Sequence, residues 1–111
     1  MNISKKSIIE VNQNFGGNIR SASSLDFALS LQTNKKMSEY KKIAYLFRAI
    51  LVDHPFTDGN KRTAAFIAII FAEEAKKKID GERLLRHIIS IAKENITTIK
   101  NIEWRLKNAI Q

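Results

Sequence analysis

The feature that most constrains the fold is an uninterrupted apolar stretch in the second half of the chain, Ala64 to Ala72. A helix that is apolar on every face must be covered by neighbours on every face. The stretch is also far shorter than the roughly 20 apolar residues that a membrane-spanning helix needs. We therefore predict a helix over about residues 58–78 that forms the centre of a globular domain, with no membrane partner.

Apolar residues at helical spacing predict further helices on both sides of this stretch. Before Pro55, one buried stripe is formed by Tyr40, Ile43, Ala44, Phe47, Ile50 and Leu51. After Asp80-Gly81, two more stripes are predicted to face inward: Leu84, Leu85, Ile88, Ile89, Ile91 and Ala92, then Ile99, Ile102, Leu106 and Ile110.

Two short helices are expected near the amino end, over residues 7–14 and 25–31, and the serines at 21–24 offer caps for the second. No alternating strand pattern is present, although the polar residues 32–37 form a loop or flap with room for a short hairpin. There is no linker and no internal repeat. The prediction is a single all-α domain over residues 1–111, a compact helical bundle around a buried central helix.

Charge and cysteine content narrow the classes of function. The chain has 19 Lys and Arg against 11 Asp and Glu, a net charge of +8, which favours anionic partners. The absence of cysteine excludes disulfides and thiolate catalysis, and it fits a reducing cytoplasm. No signal peptide is recognised, so a cytoplasmic protein is expected. Because the basic residues are scattered, a nucleic-acid-binding helical module is the less favoured alternative.

Reactive side chains concentrate in HPFTDGNKRT, residues 54–63, at the start of the central helix. Unpaired amides at a helix amino end attract phosphate, and Gly59 lets the backbone approach it closely. Lys61 and Arg62 can neutralise phosphate charge, and Asp58 is a hard oxygen ligand suited to Mg²⁺. His54 can accept the proton of an attacking hydroxyl. These are the groups that phosphoryl-type transfer needs.

This segment resembles the signature of the Fic/Doc family, His-Pro-Phe-x-Asp/Glu-Gly-Asn-x-Arg, at every fixed position. Phe15-Gly16-Gly17 and the serine-rich turn after it are similar to the region before the substrate flap in Doc-like members. The short helical tail also resembles the small Doc-like, or death-on-curing, subtype. The resemblance therefore implies a Fic/Doc-type helical bundle that acts on a nucleoside triphosphate such as ATP.

The resemblance also implies a role for each signature residue. The general base would be His54, and Asp58 would hold the Mg²⁺ that bridges the nucleotide phosphates. Asn60 and the neighbouring amides would form part of an anion hole, and Arg62 would pair with a terminal phosphate. The remaining signature residues would anchor and shape the loop: Phe56 in the core, with Pro55 and Gly59 at the turn.

Lys61 occupies a position where AMP-transferring members of the family usually have a second glycine. Doc-like members carry Lys there and transfer the terminal phosphoryl group. The resemblance thus favours phosphoryl transfer to a Ser or Thr hydroxyl of a protein, with AMP transfer as the alternative. It further implies that the target is a translation factor and that an antitoxin covers the site.

Ser90 to Asn95 matches the Ser/Thr-x-x-x-Glu-Gly/Asn pattern by which some Fic proteins restrain themselves. That resemblance implies that Glu94 competes for the phosphate-binding Arg62. The pattern is short, and a solvent-facing residue at a helix end is the simpler interpretation of Glu94. Both interpretations stay open at this point.

Overall fold

The structure, a computed structural model that describes residues 3–111, consists of six α-helices and one 3-10 turn. In chain order these are α1 (Lys5–Asn14), α2 (Ser23–Ser30), the 3-10 turn (Leu31–Thr33), α3 (Glu39–Leu51), α4 (Asn60–Ala75), α5 (Gly81–Glu94) and α6 (Ile99–Ala109). Residues 3–111 contain no β-sheet, only two isolated antiparallel bridges, Ile19 with Phe56 and Ile79 with Ile110. The predicted all-α bundle is confirmed.

The most enclosed helix is α3, which packs against α2, α4, α5 and α6. It begins where the Ser38 hydroxyl accepts a hydrogen bond from the Lys41 amide at 3.2 Å, and it ends at Leu51, four residues before Pro55. Its predicted stripe is buried apart from Tyr40, which is half-buried. The helix therefore delivers its carboxyl end, and the loop that follows, to one end of the bundle.

The prediction that α4 is enclosed on every side is wrong on one face, because Ile69 is 45% exposed. α4 packs against α1, α3 and α5, which leaves that face open to solvent. The helix also ends earlier than predicted, at Ala75, where Lys76 adopts a left-handed φ of +55° and closes it. One face of the apolar run is thus ordinary surface.

Two other expectations are wrong. Leu85 and Ile89 were expected inward but are 57% and 43% exposed, because the buried face of α5 uses Leu84, Ile88 and Ile91 instead. The predicted serine cap of α2 is absent: the residue before the helix is Ala22, and no side chain within residues 3–111 caps that end. The expected loop at 32–37 is present and contains the end of the 3-10 turn and further turns, without a hairpin.

The loop over residues 52–59 joins α3 to α4, and α1 packs along α4 so that its carboxyl end reaches this loop. The ends of α1, α3 and α4 therefore meet where the sequence concentrates its reactive groups.

None of the helices in residues 3–111 combines the length and apolarity that crossing a membrane requires.

Candidate functional site

The signature loop is anchored in the core at its centre. Pro55 is buried, and Phe56 is 1% exposed among the apolar side chains of the bundle. His54, just before them, has a left-handed φ of +49°, which is uncommon for a residue other than glycine. The burial of Pro55 and Phe56 fits the anchoring role predicted for them and leaves His54 half-buried at the surface.

The predicted polar residues line one cleft of about 310 Å³. Its walls are formed by Leu51, His54, Thr57, Asp58, Gly59, Asn60, Lys61 and Arg62. Three of these side chains are charged and exposed to solvent: Asp58, Lys61 and Arg62. The structure therefore brings together the imidazole, the carboxylate and the cations that the sequence placed in one segment.

The amino end of α4 lines this cleft with Asn60, Lys61 and Arg62. Gly59 precedes the helix with φ +72°, and among residues 3–111 no side chain caps the first turn. The Asp58 carboxylate instead accepts a hydrogen bond from the Gly59 amide at 2.7 Å. The uncapped amides of the first turn, together with Lys61 and Arg62, give this end of α4 the chemistry of a phosphate site.

Asn60 uses both ends of its side chain to brace the loop. Its amide nitrogen donates to the Phe56 carbonyl at 3.0 Å, and its amide oxygen accepts from the Phe56 amide at 3.3 Å. The side chain is thus engaged with backbone. An anion in the cleft would therefore be bound by the backbone amides at the start of α4 and not by the Asn60 side chain.

A segment between α1 and α2 pairs with the loop through backbone hydrogen bonds. The Pro55 carbonyl accepts from the amides of Arg20 at 2.7 Å and Ser21 at 3.2 Å. The Thr57 amide donates to the Asn18 carbonyl at 2.9 Å, and its hydroxyl accepts from the Asn18 amide at 3.1 Å. We call residues 17–21 the clasp. Sequence reasoning missed it, because backbone pairing leaves little trace in side-chain pattern.

Asn12 of α1 contacts both the clasp and the loop, and its backbone carbonyl accepts a hydrogen bond from the Gly17 amide at 3.1 Å. It is fully buried, and its side-chain amide donates to the Asp58 carbonyl at 2.7 Å and to the Thr63 hydroxyl at 3.2 Å. The Thr63 hydroxyl in turn donates to the Gly59 carbonyl at 2.8 Å. Sequence reasoning missed Asn12 as well. Its place four residues after the buried Ile8, on the inner face of α1, was the available signal.

Glu94 lies away from the walls of the cleft as the described residues define them. It is exposed near the end of α5, where its carboxylate accepts a hydrogen bond from the Ser90 hydroxyl. That hydroxyl also accepts from the Arg105 guanidinium at 3.1 Å. The proposed competition of Glu94 for Arg62 stays a prediction.

The donor set fits a magnesium ion that is shared with a nucleotide. Within residues 3–111 no cluster of three or more His, Cys, Asp or Glu side chains could hold a metal by itself. Asp58 offers one exposed carboxylate beside Lys61 and Arg62 at the start of α4. Mg²⁺ commonly takes one or two protein carboxylates and completes its shell with substrate phosphates and water. Asp58 would therefore be the protein ligand.

Fold and cleft together define an all-α protein in which a loop of polar and charged residues leads into the amino end of a helix. The chain matches the model of the Fic/DOC family over residues 5–72. This match covers more than half of the chain, so the chain belongs to the Fic/DOC family, a family of Fic-type transferases. Searches among curated proteins and among solved structures each returned no match.

Proposed function

We propose that this protein transfers the terminal phosphoryl group of a nucleoside triphosphate, ATP in the simplest case, to a Ser or Thr hydroxyl of another protein. The observation that carries the proposal is the single cleft at the amino end of α4. There His54, Asp58, Lys61 and Arg62 line the same space as the uncapped amides of the helix. Positioning and charge stabilisation of this kind account for most of the catalysis of phosphoryl transfer.

In the proposed reaction, His54 accepts the proton of the target hydroxyl as its oxygen bonds to the terminal phosphorus. The bond from that phosphorus to the bridging oxygen breaks, and a nucleoside diphosphate leaves. Lys61, Arg62 and the first-turn amides of α4 hold the phosphates and stabilise the charge that develops on them. Bound at Asp58, Mg²⁺ would supply further neutralisation of phosphate charge.

The choice of the terminal phosphoryl group over AMP rests on Lys61. Its side chain is exposed on the first turn of α4 and lines the cleft, where a glycine would leave the space open. A cation there can pair with a phosphate and also fills volume that a different nucleotide orientation would need. AMP transfer by the same His54 is the alternative, with pyrophosphate as the leaving group.

Two radiolabels distinguish these reactions. The purified protein is incubated with a cell extract and ATP labelled on either the terminal or the first phosphate, with a matched His54→Ala preparation as the background. We expect label on protein only from the terminal phosphate, in a band that the variant does not produce. Protein labelled from the first phosphate would replace the proposal by AMP transfer, and no His54-dependent label from either would reject both.

The same experiment addresses the partners. By resemblance to Doc-like proteins, we propose that the target is a translation factor and that the protein is the toxin of a toxin–antitoxin pair. Mass spectrometry of the labelled band identifies the target and the modified hydroxyl. A labelled protein outside translation would contradict the first of these proposals.

If Glu94 restrains the enzyme, its removal should raise activity. We expect Glu94→Gly to increase the rate of transfer by about tenfold, a change that corresponds to one released ionic hydrogen bond. Glu82→Gly is a matched control, because Glu82 is also an exposed glutamate of α5, where it pairs with Arg86 at 3.8 Å. Equal rates for Glu94→Gly and the wild type would assign Glu94 to the surface of α5.

A further inference from the structure

We infer that Arg20 is a positioning residue that sets the backbone of His54 for proton transfer, an inference that rests on the proposed function. One guanidinium nitrogen of Arg20, Nη2, donates to the His54 carbonyl at 2.7 Å. This distance is that of a short, charge-assisted hydrogen bond. Arg20 is exposed and lies outside the walls of the cleft, so it acts through His54 and not on the nucleotide.

The backbone of His54 needs such a restraint. Its φ of +49° lies in the left-handed region, which is uncommon for residues other than glycine and persists where the surrounding structure holds it. A general base must be within hydrogen-bond reach of the proton that it removes, so the direction of the Cα–Cβ bond matters. A rotation of this peptide would swing the imidazole away from the cleft while leaving the phosphate site at α4 intact.

Arg20 donates hydrogen bonds to two successive carbonyl groups of the loop. Its side chain binds the carbonyl of His54, and its own backbone amide donates to the carbonyl of Pro55 at 2.7 Å. Next to it, Ile19 forms the isolated bridge with Phe56. The backbone hydrogen bond can be made by any residue other than proline at position 20, whereas the bond to His54 requires a long side chain with a donor at its end.

The test compares Arg20→Ala and Arg20→Lys with Arg86→Ala. Arg86 is an exposed arginine of α5 that pairs with Glu82, and its loss changes the net charge equally. We expect Arg20→Ala to lower kcat about tenfold with an unchanged KM for ATP, because the substitution removes only the hydrogen bond to the His54 carbonyl and leaves the nucleotide contacts in place. Arg20→Lys restores part of kcat, since one donor can still reach a carbonyl. Arg86→Ala behaves as the wild type.

A second measurement does not depend on activity. Amide hydrogen exchange followed by NMR should be faster at Ser21 and Thr57 in Arg20→Ala, with exchange in α3 unchanged, because loss of the side-chain bond lowers the free energy of transient local opening of the clasp. Wild-type kcat in Arg20→Ala, a raised KM for ATP, or exchange rates equal to those of the wild type would each overturn the inference. If the wild type transfers nothing, the proposed function fails, and the exchange data alone decide whether Arg20 holds the loop.

Discussion

Replacement of His54 by alanine is expected to lower kcat for transfer by about 100- to 10,000-fold, the range typical of a lost general base. The imidazole lines the cleft beside Lys61 and Arg62, whereas the other histidine of the sequence, His87, lies on α5. The nucleotide should still bind, because Lys61, Arg62 and the amides of α4 are untouched. Steady-state kinetics with a purified target, together with ATP binding by calorimetry, measures both quantities.

A second substitution at this position separates chemistry from backbone strain. His54 has a left-handed φ of +49°, which alanine adopts at some cost and asparagine adopts more readily. His54→Asn therefore keeps the loop conformation without providing a base. We expect it to be as inactive as His54→Ala and to retain the thermal stability of the wild type. Substantial activity in His54→Asn would contradict the assignment of His54 as the base.

Gly17→Ala is expected to damage the site from outside the signature. A Cβ atom at position 17 would collide with the carbonyl oxygen of Asp58 and with the side-chain amide of Asn12. Both are held in place, the Asn12 amide by burial and the Asp58 carbonyl by its hydrogen bond, so the loop must shift. We expect the free energy of unfolding to fall by about 1–3 kcal/mol and kcat to fall about 100-fold.

Gly81→Ala is the matched control for this prediction. A Cβ atom at position 81 would have no atom of the described residues 3–111 within 4 Å, and Gly81 is the first residue of α5. Alanine there should leave activity unchanged and raise the free energy of unfolding by up to about 1 kcal/mol, because it restricts the unfolded chain. Chemical denaturation and kinetics of both variants provide the comparison. Similar behaviour of the two variants would refute the close approach at Gly17.

The parts of the fold that the sequence predicted are those that apolar periodicity controls. The stripe of α3, for example, is buried apart from Tyr40. Periodicity was less informative where apolar residues outnumber the positions of one face. Leu85 and Ile89 lie beside the buried stripe of α5, and only the arrangement of the neighbouring helices decides that they face solvent.

For the site, the sequence predicted the residues that line the cleft but not the residues that hold them. Asp58, Lys61 and Arg62 come from one short segment, so local sequence was enough to place them together. Asn12 and Arg20 reach that segment across 46 and 34 positions of the chain. Contacts at such separations depend on how α1 packs against α4, which local propensity does not specify.

The contact between Asn12 and Asp58 also has a consequence for biosynthesis. Asn12 leaves the ribosome long before Asp58, and the two can meet only after the whole of α3 has been made between them. Closing a chain loop of this length costs entropy that the packing of several helices must offset. The site should therefore form in the same step as the cooperative folding of the helices. A nascent chain, or one truncated before Asp58, should show no transfer activity.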